Sequence, residues 1–284
     1  MSAKVQKIVQ FFKIVRINNL LIIALAQWLT ARFLIPFSVY EQASIFQIIL
    51  SSVLLVLSGF LFNDLMDLKT DSANNKLNGF IFLGTSKLKY LGIITFLFSL
   101  ALLLAWITTS VFFWLQVFTL LFILLYSVFI KKIIFLKNIY VSLLTAWAIA
   151  IFIFIHDSYD PFAWLFVFFA FWLNMIREAV KDMQDKKGDT FAGISTIPVV
   201  LGDVFSWNYL ITLTAILLVS EILCIHYLWE FFGFRIYFLM LVFTPSFLLL
   251  SFILRFRMTE NKLVWFNHIT KGLMITGMIS MIFL

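Results

Sequence analysis

The chain lacks what a water-facing domain needs. Only 12% of its 284 residues are charged, against about a quarter in ordinary soluble domains. Hydrophobic residues make up 63% and mean hydropathy is +1.05, which is more apolar surface than a protein in water can cover, so its solvent is lipid. A single cysteine, Cys224, excludes an internal disulfide and removes any redox signature. No solenoid-period repeat or low-complexity linker divides the chain, so residues 1–284 are expected to form one integral membrane domain. The basic start, MSAKVQKIVQFFKIVR, runs into an apolar stretch long enough to span and without a small-residue cleavage site. An amphipathic segment leading into a first span is expected there. The net charge of +7 would suggest nucleic acid in a soluble protein, but here topology accounts for it and no nucleic-acid partner is expected.

A hydrocarbon core about 30 Å thick takes about 20 helical residues. Suitable runs lie near 18–37, 45–62, 89–109, 111–130, 139–156, 161–178, 207–228, 232–254 and 265–284. The fold expected is an all-α polytopic bundle of about nine transmembrane helices around a central cavity opening near the cytoplasmic side. Basic residues orient it. Lys4, Lys7, Lys13 and Arg16 precede the first span, and Lys69, Lys76, Lys87 and Lys89 lie between the second and third. Lys131, Lys132 and Lys137 follow the fourth, Arg177, Lys181, Lys186 and Lys187 the sixth, and Arg255, Arg257 and Lys262 the eighth. The opposite loops hold little beyond Arg235, with Arg32 near the outer end of the first span. The positive-inside rule therefore expects a cytoplasmic N-terminus and a C-terminus across the cell membrane.

The scarce acids are concentrated. Asn63, Asp67 and Asp71 recur at i, i+4 and i+8 off the end of the second span, with Asp64 three residues before Asp67, so a continuing helix is expected to present all four on one side. Asp182, Asp185 and Asp189 recur at i, i+3 and i+7 leaving the sixth span. Bare, such neighbours repel by a few tenths of a kcal/mol per pair. Hard divalent cations reverse that cost. Mg²⁺ takes oxygen ligands and is held by one or two carboxylates plus substrate phosphates, so two such clusters facing one another suit a metal-bound diphosphate. Arg177, Lys181 and Lys69 are placed to meet the remaining phosphate oxygens. The competing explanation, two solvated loops whose acids offset nearby lysines, serves either cluster alone better than both on one membrane side.

At these residues the chain resembles the UbiA superfamily of intramembrane prenyltransferases. Asn63/Asp64/Asp67/Asp71 match its N-D-x-x-D-x-x-x-D motif, and Asp182/Asp185/Asp189 its D-x-x-D-x-x-x-D motif. Tyr126 to Lys131 and Lys132, followed by Asn138, is similar to the family's segment ending the fourth helix, and Gly193 to Gly202 to its G-x-x-T-x-P-x-x-x-G stretch. The family's Arg-Pro after the first motif is missing from Asn74-Asn75-Lys76-Leu77-Asn78-Gly79-Phe80. The resemblance implies Mg²⁺-dependent transfer from a prenyl diphosphate donor to a lipid or aromatic acceptor in the bilayer. It implies Asn63, Asp64, Asp67, Asp71, Asp182, Asp185 and Asp189 as metal ligands, and Asp64, Asp67, Asp182 and Tyr126 as the catalytic set. Lys131 joins Arg177, Lys181 and Lys69 at the diphosphate.

Polar groups within spans face the bundle interior. Asn18, Asn19, Asn174, Asn138 and Ser142 are therefore expected to line the cavity. Lys271 is expected to snorkel to the end of the last span. Glu221 is intramembrane without an assigned role, and His226 and His268 have no partner spacing for a metal. The Arg177-Glu178-x-x-Lys181-Asp182 run is most similar to the branch alkylating geranylgeranylglyceryl phosphate. An aromatic quinone or haem precursor is the alternative acceptor, and a second basic site from Lys131, Lys132 and Lys181 would serve a phosphate. A non-enzymatic transporter is the rival class, but its sites lie near the midplane, often with repeat symmetry, and these acids sit at helix ends.

Overall fold

In the computed structural model, residues 3–35, 42–73, 77–156, 161–232, 246 and 260–283 are described, and among them there is no strand. The helices are α1 (Ala3–Ile14), α2 (Ile17–Leu29), α3 (Gln42–Met66), α4 (Leu68–Ala73), α5 (Gly79–Leu83), α6 (Lys87–Thr108), α7 (Ser110–Val128), α8 (Leu136–Ile155), α9 (Pro161–Ala192), α10 (Ile197–Val200), α11 (Gly202–Phe232) and α12 (Glu260–Ser280). Seven are long and apolar enough to cross a membrane, α2 with the help of the wider turn Thr30–Leu34 that continues it. The chain is a multi-pass integral membrane protein. Where the ninth span was expected the chain forms a helix, α12, but Asn267, His268 and Lys271 keep it outside the seven. The expected eighth, 232–254, lies outside the described residues apart from Phe232 and Ser246.

Local chemistry sets the ends. Thr109 alone separates α6 from α7, because its extended backbone breaks the helix and its hydroxyl accepts from Phe112 N–H at 3.1 Å to cap the next one. The sixth span was expected to end near 178, but α9 runs 32 residues, to Ala192. At 1.5 Å per residue it is about 48 Å long, so its last turns stand clear of a 30 Å hydrocarbon core and carry the second acidic motif on a rigid rod.

Inside the bundle, hydrogen bonds join the helices where burial alone does not drive them together. Gln116 Nε2 donates to Ser51 and Ser52 Oγ at 3.1 and 3.2 Å, Gln27 Nε2 to Ser52 Oγ at 3.1 Å, and Ser51 Oγ to Ala101 O at 2.7 Å, tying α2, α3, α6 and α7. Buried Glu221 on α11 accepts from Ser246 at 3.0 Å. Around these ties pack Phe112, Phe152, Phe166 and Ile48 at one level, and Phe266, Ile176, Leu210 and Leu217 at another.

Helices α3 and α7 meet at Gly59, where an added Cβ would stand 2.7 Å from Ile123 Cγ2. Gly59→Val is therefore expected to cost about 1–3 kcal/mol through overpacking. Thermal denaturation in detergent should show a lowered midpoint, partly restored by adding Ile123→Ala. An unchanged midpoint in Gly59→Val would refute the close approach.

Candidate active site

The first acidic motif keeps helical hydrogen bonding through its break at Asp67. Asp67 N–H donates to Asn63 O at 2.9 Å and Asp71 N–H to Asp67 O at 2.8 Å. Its side chains nevertheless divide between two settings, against the expectation of one shared side. Asn63 Nδ2 donates to Asp67 Oδ2 at 2.6 Å, and Lys131 Nζ meets Asp67 Oδ1 at 2.5 Å. Asp64 is buried and turned elsewhere, its Oδ1 taken by Arg16 at 3.0 Å and its Oδ2 by Gly79 N–H at 2.9 Å. Asn78 completes that corner, donating 2.7 Å bonds to Asp64 O and Asp71 Oδ2 while its Oδ1 caps α5. Gly79 has to be glycine here, since a Cβ would lie 2.9–3.0 Å from Tyr90 Oη, Asp64 Oδ2 and Ile14 Cγ2.

The second motif reaches the same centre. Helix α4 packs on α9, and the turn between α7 and α8 lies between the two motifs. That turn gives Lys131 to Asp67, and the first turn of α8 gives Lys137 to Asp182 at 2.5 Å. Tyr126, in the last turn of α7, lies within electrostatic reach of Lys137, Glu178, Asp67 and Asp182 together. Buried Asn138 adjoins Asp182. Asp189 is buried in the last turns of α9, with Asp185 half-buried a turn before it. Stacked rings continue inward from Tyr126, with Tyr140 at 6.1 Å and Phe122 beyond it at 4.9 Å.

Backbone strain coincides with these contacts. Among the described residues the non-glycine positions of positive φ are Arg16 (52°) and Phe135 (64°). Such conformations cost of order 1–3 kcal/mol and persist only where surroundings impose them. Arg16 is held by Asp64 and by the Phe60 ring, 4.7 Å from its guanidinium. Phe135, between the two lysines, is held by Phe205 and Tyr209, centroids 6.2 and 5.7 Å away.

The remaining expected residues are distributed less simply. Asn174 and Ser142 are buried and joined at 3.3 Å, Asn19 is half-buried, and Asn18 is exposed rather than inward. Lys181 grips buried Glu178 at 2.7 and 3.0 Å, with Arg177 at 3.8 Å. The Lys69 side chain lies outside the described residues. In the sequence Arg16, Lys137, Asn78 and Glu178 stand out only as topology markers or parts of a motif. Arg16 and Lys137 meet partners 48 and 45 residues away, Asn78 one 14 away, and Glu178 is distinguished by burial; the only local hint is that Lys137 adjoins Asn138.

Among the described residues no three acidic, histidine or cysteine side chains converge as a closed metal cage. The donors present are hard oxygens, and Asn63 Oδ1 is buried without a hydrogen-bond partner beside the Asp67 carboxylate. One or two protein oxygens per ion, the rest coming from phosphate and water, is how Mg²⁺ is ordinarily held. The residues fit Mg²⁺ shared with a diphosphate.

The UbiA prenyltransferase family model matches residues 19–269. A digeranylgeranylglyceryl phosphate synthase of Methanopyrus kandleri is 42% identical over 43 residues, which span 15% of this chain and only 16% of that protein. A solved digeranylgeranylglyceryl phosphate synthase superposes with TM-score 0.68 at 17% identity, covering 98% of both chains. A UbiA homologue from Archaeoglobus fulgidus, bound to GPP and Mg²⁺, superposes with TM-score 0.70 at 18% identity, covering 96% of this chain and 99% of its own. At such identities the structures speak for the fold, while the family model covers the motifs themselves; the chain is a membrane enzyme belonging to the UbiA prenyltransferase family.

Proposed function

We propose that the chain transfers a prenyl group from a prenyl diphosphate, with Mg²⁺, to geranylgeranylglyceryl phosphate on the cytoplasmic side of the membrane. The observation that carries the reaction centre is the α7–α8 turn with the first turn of α8, which set Lys131 on one acidic motif and Lys137 on the other with Tyr126 between them. Asn63, Asp67 and Asp182 would hold Mg²⁺, with Asp71, Asp185 and Asp189 adjoining. Asp64 instead anchors the Arg16 and Gly79 corner. Bound Mg²⁺ supplies positive charge where the leaving diphosphate becomes more negative.

The residues of the chain do the rest. Lys131 and Lys137 exchange their carboxylates for diphosphate oxygens as the donor binds, and their ammonium groups stabilise the charge developing on it. The allylic C1–O bond breaks with its electron pair going to the diphosphate. Tyr126 orients the departing group. The rings of Tyr126, Tyr140 and Phe122 flank the allylic fragment, exclude water and offer their faces to its positive charge. The acceptor hydroxyl oxygen then bonds to C1, and its proton passes to a diphosphate oxygen. The lipid acceptor is favoured by the Arg177-Glu178-x-x-Lys181-Asp182 run and by the short match to the Methanopyrus kandleri synthase.

Incubating purified protein with a labelled prenyl diphosphate and an acceptor panel tests this directly. Product on the glycerol phosphate ether is expected, and transfer only to a phenolic acid would exclude the lipid assignment. Asp67→Asn and Asp182→Asn should each lose turnover on the order of 100-fold or more while eluting as folded protein. Full turnover in both would remove the metal clamp.

Phe135→Ala removes the ring that holds the strained turn. The expected result is a several-fold rise in KM for the prenyl diphosphate with little change in acceptor KM. Donor affinity at the wild-type value would separate Lys131 and Lys137 from that turn.

A further inference from the structure

The basic residues near the second motif split into two groups that the sequence does not distinguish. Lys131 and Lys137 face the acidic motifs. Arg177 and Lys181 instead engage Glu178 of their own helix, Arg177 also donating to Asn174 Oδ1 at 3.4 Å, and that helix packs against α12. There Asn267 of α12 donates to Gln184 of α9 at 3.3 Å. One turn further along α12 stands Lys271, while Lys181 and Arg177 lie one and two turns back along α9. Lys271 is half-buried and lies within electrostatic reach of these same two cations.

Among the described contacts, buried Glu178 takes Lys181 at both oxygens and Arg177 at 3.8 Å, and Lys271 adds a third cation within electrostatic reach of those two. Half-buried like charges at a helix seam are unfavourable unless an anion joins them. A second observation points the same way, since Arg177 Nε is buried with no acceptor. An N–H donor left over among surplus cations is what a phosphate oxygen satisfies. The seam also adjoins the reaction centre, because Glu178 lies in electrostatic reach of both Lys137 and Tyr126.

Resting on the lipid-acceptor reading above, we infer that Arg177, Lys181 and Lys271 bind the phosphate of the acceptor, apart from the cations that hold the donor diphosphate. A glycerol phosphate ether carries its free hydroxyl within a few bonds of its phosphate. Anchoring the phosphate at this seam presents that hydroxyl toward Tyr126 and Asp182.

Initial rates with geranylgeranylglyceryl phosphate at saturating prenyl diphosphate, and binding of that lipid without donor followed by ³¹P line broadening, test the pocket. Lys271→Gln should raise acceptor KM about tenfold or more, the effect of losing a charge-assisted contact, while donor KM stays within about twofold. Lys271→Arg should restore most of the affinity. The preference for the phosphate-bearing acceptor over its phosphate-free alcohol should collapse in Lys271→Gln, and Lys271→Met provides the same comparison if the Gln variant does not fold. Wild-type acceptor KM and line broadening in these neutral variants, with the lipid still a substrate, would overturn the pocket alone. Transfer by the wild type only to phenolic acids would overturn the acceptor reading and the pocket together.

Discussion

A carboxylate at the end of a membrane helix has to find a cation. Asp64, Asp67 and Asp182 find Arg16, Lys131 and Lys137, and much of the chain at this end of the bundle is arranged to deliver those partners. The bend between α1 and α2 sits at Arg16, the strained turn at Phe135 separates Lys131 from Lys137, and α9 extends past its span to bring Asp182 to meet them. Both non-glycine residues of positive φ among those described therefore lie next to a cation–carboxylate contact, where strain is worth retaining.

The same pairs explain why the site is ready to bind without being tightly closed. A buried ion pair is often close to break-even, since desolvation offsets most of the Coulombic gain. Exchanging a lysine for a metal ion on the carboxylate, and the carboxylate for a phosphate oxygen on the lysine, conserves the number of opposite-charge contacts. Binding the donor therefore need not open a stable core. Asp64 is the exception. With both oxygens engaged and Gly79 packed against it, it fixes the corner from which the exchangeable residues project.

Much of this was legible from spacing alone. Seven of the expected spans are present as apolar helices, and α12 stands where the last was placed. The acids occur at the end of α3 and along α9, as their i, i+3 and i+4 recurrence required, because that periodicity is local. What spacing could not supply is direction. Asp64 and Asp67 are three residues apart, yet one faces Arg16, 48 positions earlier, and the other Lys131, 64 positions later. Lys137 carries no local sign of its pairing with Asp182, and the contact of Lys181 with Glu178 shows its weight only once Glu178 is buried, both being tertiary facts.

With the proposed phosphate-bearing acceptor, two anionic substrates meet over one carbon atom, an electrostatic problem that a single cluster of cations would solve poorly. If both phosphates drew on Lys131 and Lys137, each would weaken the other, and the donor's departure would loosen the acceptor. Separate cation groups avoid this, but they have to be insulated. Glu178 is suited to that, being a buried carboxylate within electrostatic reach of Lys181, Arg177 and Lys137 alike. An apolar residue in its place would let the two groups merge into one broad attraction for whichever anion arrived first. Given the proposed pocket, the carboxylate in Arg177-Glu178-x-x-Lys181-Asp182 is what turns a basic patch into two addresses.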